Sequence, residues 1–223
     1  MSWAKKEAFY EFIIKNQVIG FFQNPIKLKS GRNSTWYVNW RNIAEDVHLI
    51  DLLSDFVIDF IENLKLQPDC IYGVPEGATK LGILSQFKWA KRQKTFPSDN
   101  FILSMGRGKP KEHGDPKDKY FLGVPRGKVI IIEDTITTGG SLIQTIKTLR
   151  ELNIDIIATI GLTDRNELRD DGLSVKDAID SMGLTHYSMS DALELLPMLK
   201  PEDRIKQHII DYFAEYGIRE IEF

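Results

Sequence analysis

Val129-Ile130-Ile131-Ile132-Glu133-Asp134-Thr135-Ile136-Thr137-Thr138-Gly139-Gly140-Ser141 is the stretch on which the reading of the whole chain turns. Four aliphatic residues run into two adjacent acids, and a turn of threonine, glycine and serine follows. Leu142, Ile146 and Leu149 then recur at helical spacing. A continuous aliphatic run suits a strand covered on both faces, which predicts a strand over 129–132 ending at the acids. Open α/β sheets bind ligands beyond the carboxyl ends of their strands, where this turn falls. Backbone N–H groups, hydroxyls and a helix N-terminus together favour a phosphate. The stretch lacks the GxxxxGK[ST] spacing of a nucleotide P-loop. Two carboxylates would repel further phosphate, so they face something neutral that seeks acceptors, and the hydroxyls of a sugar fit. A ligand with a phosphate at one end and a diol in the middle is a ribose 5-phosphate. Alone, strand-ending acids or a Thr-Gly-Gly-Ser turn would be unremarkable surface features; their junction between a buried strand and an amphipathic helix favours a site.

Outward from this stretch, the pattern alternates. Cys70–Val74 and Phe101–Met105 read as strands with a helix over Ala78–Trp89 between them, and Ile154–Leu162 reads as the strand after the 142–149 helix. Asp46 is placed to cap a helix carrying Ile50, Leu53, Val57, Ile61 and Leu64. A first helix is expected over residues 3–19, and irregular chain with strand-like pieces around Trp36-Tyr37-Val38 over 22–42. The tail adds a helix near 174–182, a short strand near 186–189 and a helix carrying Ile205, Ile209, Tyr212 and Phe213. Strand, helix, strand in this order argues for an α/β fold, a mainly parallel sheet flanked by helices. We expect one domain over 1–223, with an N-terminal cap over 1–45. Residues 107–119, RGKPKEHGDPKDK, hold no hydrophobic residue but five basic ones and a histidine. A polar run of that length inside a compact domain is usually either disordered or a functional lid, so a flexible loop is expected over 106–120.

Composition excludes other classes. A net charge of −3 with 42% hydrophobic and 27% charged residues is that of an ordinary globular protein, without a general nucleic-acid or membrane surface. One cysteine, Cys70, leaves no disulfide framework or CxxC pair, and beside Ile71 and Tyr72 it reads as core. Charges interrupt the opening MSWAKKEAFYEF where a signal peptide would be apolar, and no apolar run approaches the ~20 residues of a membrane span. The expectation is a cytoplasmic protein, in which the acceptor pattern Asn33-Ser34-Thr35 goes unused. His48, His186 and His208 have no ligand spacing and read as structural.

The 129–141 stretch resembles the motif that binds phosphoribosyl pyrophosphate (PRPP) in type I phosphoribosyltransferases. Three further segments are similar to those of one family within that class, the orotate phosphoribosyltransferases: Leu28-Lys29-Ser30-Gly31-Arg32-Asn33-Ser34-Thr35-Trp36-Tyr37-Val38-Asn39, Arg107-Gly108-Lys109-Pro110-Lys111-Glu112-His113-Gly114, and Asp164-Arg165-Asn166-Glu167. Their order and spacing agree with the family from residue 28 to 167.

The resemblance implies the type I fold and a division of labour. Glu133 and Asp134 would hold the ribose hydroxyls; Thr135, Thr137, Thr138, Gly139, Gly140 and Ser141 the 5′-phosphate; and Lys29 and Tyr72 would also contact PRPP. Lys29, Tyr37, Val38, Thr137 and Arg165 would form the orotate side, although core packing suits Trp36, and in part Tyr37, nearly as well as ligand contact. Arg107, Lys109, Lys111 and His113 would meet the departing pyrophosphate, with Arg107, Lys111, His113 and Asp134 as the catalytic set. The resemblance further implies Mg²⁺ carried by PRPP rather than by a dedicated protein site, and a homodimer whose loop serves the neighbouring subunit. Two positions depart from the family pattern. Gly108 stands where a basic residue is usual, and no lysine lies beside Tyr72 in Ile71-Tyr72-Gly73-Val74-Pro75-Glu76-Gly77-Ala78. A transferase for another base is disfavoured by LKSGR and Arg165. A PRPP-sensing regulator is disfavoured by the retained loop and by the lack of a helix-turn-helix segment.

Overall fold

The structure, a computed structural model, describes residues 3–96, 101–113 and 119–223. Its centre is a four-stranded, all-parallel sheet in the order β3 (Cys70–Gly73), β6 (Lys128–Ile136), β7 (Asp155–Asp164), β8 (His186–Asp191). The alternation of a strand divides the 129–132 run between two cores. Ile130 and Ile132 join Ile71, Ala158, Ile160 and Leu162 in one cluster, while Val129 and Ile131 join Cys70, Tyr72 and Ile156 in the other. All four residues of the run are fully buried, as a strand covered on both faces requires.

Helices cover both faces. α1 (Lys6–Lys15), α3 (Val47–Asn63) and α8 (Asp203–Tyr216) bury Phe9, Ile13, Leu53, Val57, Ile61, Ile209 and Phe213 in the first cluster. α5 (Gly140–Glu151) and α6 (Val175–Asp180) bury Leu142, Ile146, Leu149 and Ile179 in the second. α4 (Thr79–Arg92) follows β3 and packs against it and α3, and α2 (Arg41–Glu45) precedes α3. Asp46 caps α3 as expected, its carboxylate accepting from the Leu49 N–H at 2.8 Å. Such a cap stabilises a helix by ~1 kcal/mol.

Outside the main sheet, β1 (Ile19–Lys27) and β2 (Asn33–Val38) form an antiparallel hairpin. β4 (Met105–Gly106) and β5 (Phe121–Leu122) form a two-residue ladder. Backbone bonds from Arg107 N to Tyr120 O and from Lys111 N to Lys119 O, both 2.8 Å, extend this pairing outward as a ribbon at the stem of the polar loop. Residues 114–118 of that loop lie outside the described residues.

Several expectations need correction. The first helix stops at Lys15, because Gln17 turns to positive φ and sends the chain into β1. β1 was hidden by Pro25, which a ladder tolerates at an edge or irregularity; the register shift between Phe21 and Ile26 falls around it. Phe101–Met105 is not a strand as a whole: only Met105 and Gly106 pair, since only two residues of the returning chain lie alongside. β6 does not end at the acids but runs through them to Ile136, paired with β7 up to Asp164. α7 (Ala192–Met198) was not anticipated, although Asp191 three residues before Glu194 is a capping signature, and Asp191 does accept from the Glu194 N–H at 3.0 Å. Among the described residues no helix is long and apolar enough to cross a membrane.

Candidate active site

A cavity of about 780 Å³ opens at the carboxyl ends of β3 and β6. Its floor is the quoted stretch, Glu133 to Ser141, and one wall is the β3–α4 turn, Val74 to Gly77. The β1–β2 hairpin supplies Leu28, Lys29, Tyr37 and Val38, and Arg165 comes from the end of β7.

The phosphate-loop geometry follows from Gly139, the residue that caps α5. It sits at φ +67°, in the left-handed region that side chains rarely adopt, and a Cβ there would come within 2.6 Å of Val175. The turn therefore closes tightly onto α6. The first N–H groups of α5 have no partner within the helix and sit at its positive end, where they favour an anion. Arg169 braces this loop from behind, with Nη1 donating to the Thr138 carbonyl at 2.7 Å.

The two acids differ. Glu133 is 6% exposed, and burial, reinforced by the neighbouring Asp134, pushes its carboxyl up to about 9. Its Oε2 is buried with no hydrogen-bond partner among the described residues. Burial thus favours the protonated form of Glu133 at neutral pH, which lessens the negative charge beside the 135–141 turn. Asp134 is half-buried, and its Oδ1 accepts from the Thr135 N–H at 2.8 Å. Its carboxylate abuts the β3–α4 turn so closely that a Cβ on Gly77 would lie 2.3 Å from Oδ2. Only glycine at 77 permits this approach.

On the opposite wall, Lys29 Nζ donates to Ser141 Oγ at 3.0 Å, so the hairpin turn touches the phosphate loop directly. Tyr37 is half-buried at the cavity, whereas Trp36 is wholly buried and stacks on Phe213 at 6.2 Å. Of the two aromatic residues, Trp36 is therefore core and Tyr37 lines the cavity. Arg165 is 1% exposed, far from the exposed strand-end charge that is common for arginine; its Nε donates to Glu167 Oε1 at 2.6 Å.

Tyr72 borders the cavity, but its ring packs edge-on against Phe121 at 6.0 Å and burial raises its phenol well above the ordinary range. The loop residues divide. Arg107 and Gly108 line the cavity, while Lys109, Lys111 and His113 are exposed and lie outside its lining. Gly108, the departure from the family pattern, faces Glu76: a Cβ there would come within 2.6 Å of that carboxylate. Arg41 and Gln144 also line the cavity and were not anticipated, because isolated polar residues beside a motif carry no signal of their own; Asn39 and Glu76, quoted within their segments but given no role, line it too.

Cys70 is buried with its thiol pushed up to about 12, as a core residue rather than a nucleophile. His186 is buried against Thr159 at 2.8 Å, and burial holds its imidazole down to about 4.

A parallel sheet with a Thr/Gly-rich strand–turn–helix, an acid pair and a hairpin beside its carboxyl edge is the type I phosphoribosyltransferase fold. The solved structures bear this out. An orotate phosphoribosyltransferase from Francisella tularensis superposes with a TM-score of 0.69 at 21% identity, over 94% of this chain and 99% of that one. The UMP synthase of Leishmania donovani superposes at 0.72 with 18% identity, over 95% of this chain and 42% of that one. No family model matches the chain. Among curated proteins, the orotate phosphoribosyltransferase of Bradyrhizobium diazoefficiens is 30% identical over 200 residues, 86% of this chain and 97% of the relative. The chain belongs to the orotate phosphoribosyltransferase family.

Proposed function

We infer that the chain carries its family's activity: it transfers the 5-phosphoribosyl group of PRPP to orotate, giving orotidine 5′-monophosphate and pyrophosphate for pyrimidine synthesis. The observation that carries this reading is one cavity holding three things at once. The phosphate-binding start of α5, the Glu133–Asp134 pair, and a base wall of Lys29, Tyr37, Val38 and Arg165 all face it.

In this reading the α5 turn, Thr135 to Ser141, receives the 5′-phosphate, with Thr137 reaching both halves of the site. Asp134 accepts from a ribose hydroxyl, and protonated Glu133 can both accept and donate there. The planar, anionic pyrimidine lies against Tyr37 and Val38 with Lys29 and Arg165 as cations. As the bond from ribose C1 to pyrophosphate lengthens, positive charge builds on the sugar and negative charge on the leaving group. Arg107, Lys109, Lys111 and His113 stabilise the leaving group, and a closed loop keeps water from the reacting carbon. Orotate is already anionic, so its nitrogen attacks without a strong base.

Among the described residues no group of three His, Cys, Asp or Glu is placed to hold a metal ion. The hard oxygen donors present, Asp134 and the threonine hydroxyls, suit a Mg²⁺ that arrives with the phosphates, as this ion prefers one or two carboxylates plus substrate oxygens. Bound there, it would neutralise pyrophosphate charge. The exposure of Lys109, Lys111 and His113 and their absence from the lining of their own cavity support a homodimer in which each loop serves the partner's site. The protein is expected to work in the cytoplasm.

The test is the ultraviolet absorbance of orotate mixed with the protein, PRPP and Mg²⁺, with uracil, hypoxanthine and adenine in parallel. Orotate consumption requiring PRPP and Mg²⁺ is expected. Turnover of another base instead would overturn the substrate, and PRPP binding without any turnover would favour a regulator.

A further inference from the structure

Arg165 is one member of a buried charge triad that the family motifs do not explain. Its Nε donates to Glu167 Oε1 at 2.6 Å, its Nη2 to Ser34 Oγ at 3.2 Å, and its Nη1 reaches the Trp36 carbonyl at 3.4 Å. The guanidinium lies 3.5 Å from the centroid of the Trp36 ring. The other oxygen of Glu167, Oε2, accepts from Arg32 Nη1 at 2.8 Å. Arg32 is held in turn by the Leu168 carbonyl at 2.7 Å and lies 4.6 Å from the Tyr216 ring. The Glu167 side chain is fully buried, and only 9% of the Arg32 side chain is exposed.

One carboxylate between two guanidinium groups leaves the buried triad with a formal charge of +1; the second carboxylate near Arg32, Asp170 at 3.3 Å from Nη2, is 95% exposed and screened by solvent. If Glu167 met Arg165 alone, the pair would be neutral and the cavity wall would lose its cationic character. By engaging Glu167 as well, Arg32 leaves that wall positive. Burying an uncompensated cation is costly unless an anion meets it. A guanidinium offers five N–H donors, of which the contacts above use three, so donors remain for a ligand.

We propose that Glu167 is a positioning residue that fixes the edge and plane of Arg165 toward an anionic planar base, with Arg32 keeping that wall cationic. This rests on the reading of Arg165 as part of the orotate side. The triad then sets the affinity for the base and leaves PRPP nearly untouched: its side chains make no hydrogen bond to the phosphate-loop residues, and only the Arg165 backbone N–H reaches them, at the Ile136 carbonyl, 2.8 Å away.

Glu167→Gln separates positioning from charge. The substitution raises the formal charge of the triad from +1 to +2, so a purely electrostatic wall would bind orotate more tightly. A positioning residue predicts the opposite, since the two guanidinium groups donate to different oxygens of Glu167 and an amide replaces one of those oxygens with an NH2 donor. The KM for orotate should rise about tenfold or more, as expected for loss of a charged hydrogen bond, while the KM for PRPP stays within about twofold. Ser34→Ala removes another restraint on Arg165 with little change of volume; it should raise the orotate KM alone by a smaller factor, and it carries the test if Glu167→Gln does not fold. An unchanged or lowered orotate KM, or a parallel rise in both KM values, overturns the proposal. Arg165→Ala distinguishes the two levels. If it leaves orotate binding unchanged, the assignment of Arg165 fails and the positioning role falls with it. If it weakens orotate while Glu167→Gln and Ser34→Ala do not, only the positioning role fails.

Discussion

Lys29 Nζ and Ser141 Oγ stand 3.0 Å apart, so the residue expected to meet the base already touches the residue expected to meet the phosphate. The contact joins a hairpin near the start of the chain to a loop more than a hundred residues later. Because Lys29 is exposed, its bond to a neutral hydroxyl contributes little to folding. Its value lies in placing a cation between two anionic substrates. Lys29→Ala should therefore leave the melting temperature nearly unchanged and raise the orotate KM by about tenfold at low ionic strength, a gap that narrows as salt screens the exposed charge. Steady-state kinetics at two salt concentrations, with a thermal melt alongside, check this; a large loss of stability would make Lys29 structural.

Glu133 gives a pH-dependent prediction. Its carboxyl ordinarily titrates near 4.5, and burial lifts it to about 9. Across that window the folded protein keeps a proton that the unfolded chain has released. Stability therefore falls as pH rises from about 4.5 toward about 9, and the whole penalty is present only above the upper value. Glu133→Gln removes this contribution. Melting curves of the ligand-free variant should be flatter with pH than those of the parent, and the variant should be the more stable at alkaline pH. PRPP affinity should fall in the same variant. Parallel melting profiles for the two proteins would mean that Glu133 is ionised in the fold.

How far the sequence carried these arguments depended on where the information lay. The 129–132 strand was legible because both of its faces are buried, leaving an unbroken aliphatic run. The α3 cap was legible because Asp46 acts on its own neighbours. β1 was not, since most of its residues face solvent and Pro25 disrupts its register. The acids were found but misplaced at the end of β6, because pairing of Thr135 and Ile136 with β7 extends the strand beyond them. The different states of Glu133 and Asp134 could not be read from adjacent letters, as they arise from burial. Likewise Arg32 and Glu167 sat inside recognised motifs without a role, since residues 135 apart meet only in the fold.

Arg169 acts on the phosphate loop at one remove. Its Nη1 holds the Thr138 carbonyl at 2.7 Å, while its own segment is pinned by a bond from Arg169 N to Leu173 O at 2.9 Å. In a trans peptide the carbonyl and the following N–H point in opposite directions. Fixing the Thr138 carbonyl thus aims the Gly139 N–H. Arg169→Ala should raise the KM for PRPP about tenfold with little effect on the KM for orotate, the reverse of the pattern expected at Glu167. Arg169→Lys should recover part of the loss. An equal effect on both substrates would make the contact a general brace.

Lys111 tests whether the loop crosses between subunits. It is exposed and absent from the cavity lining, although the preceding Pro110 belongs to it, and it sits on a ribbon held by bonds from Arg107 to Tyr120 and from Lys111 to Lys119. Lys111→Ala should depress turnover by at least about a hundredfold, within the range for loss of transition-state stabilisation, and leave the melting temperature unchanged. Asp134→Asn should be inactive for a separate reason, loss of its contact to the sugar. If the loop serves the partner, a mixed dimer of the two variants contains one site with both an intact Asp134 and an intact Lys111. Random exchange makes half of all dimers mixed, so an equimolar mixture should recover about a quarter of the parent's turnover. If each loop closes over its own cavity, every site in the mixture lacks one group and no activity returns. Mixing the purified variants under conditions that let subunits exchange, then assaying orotate consumption, decides between a shared loop and a private one.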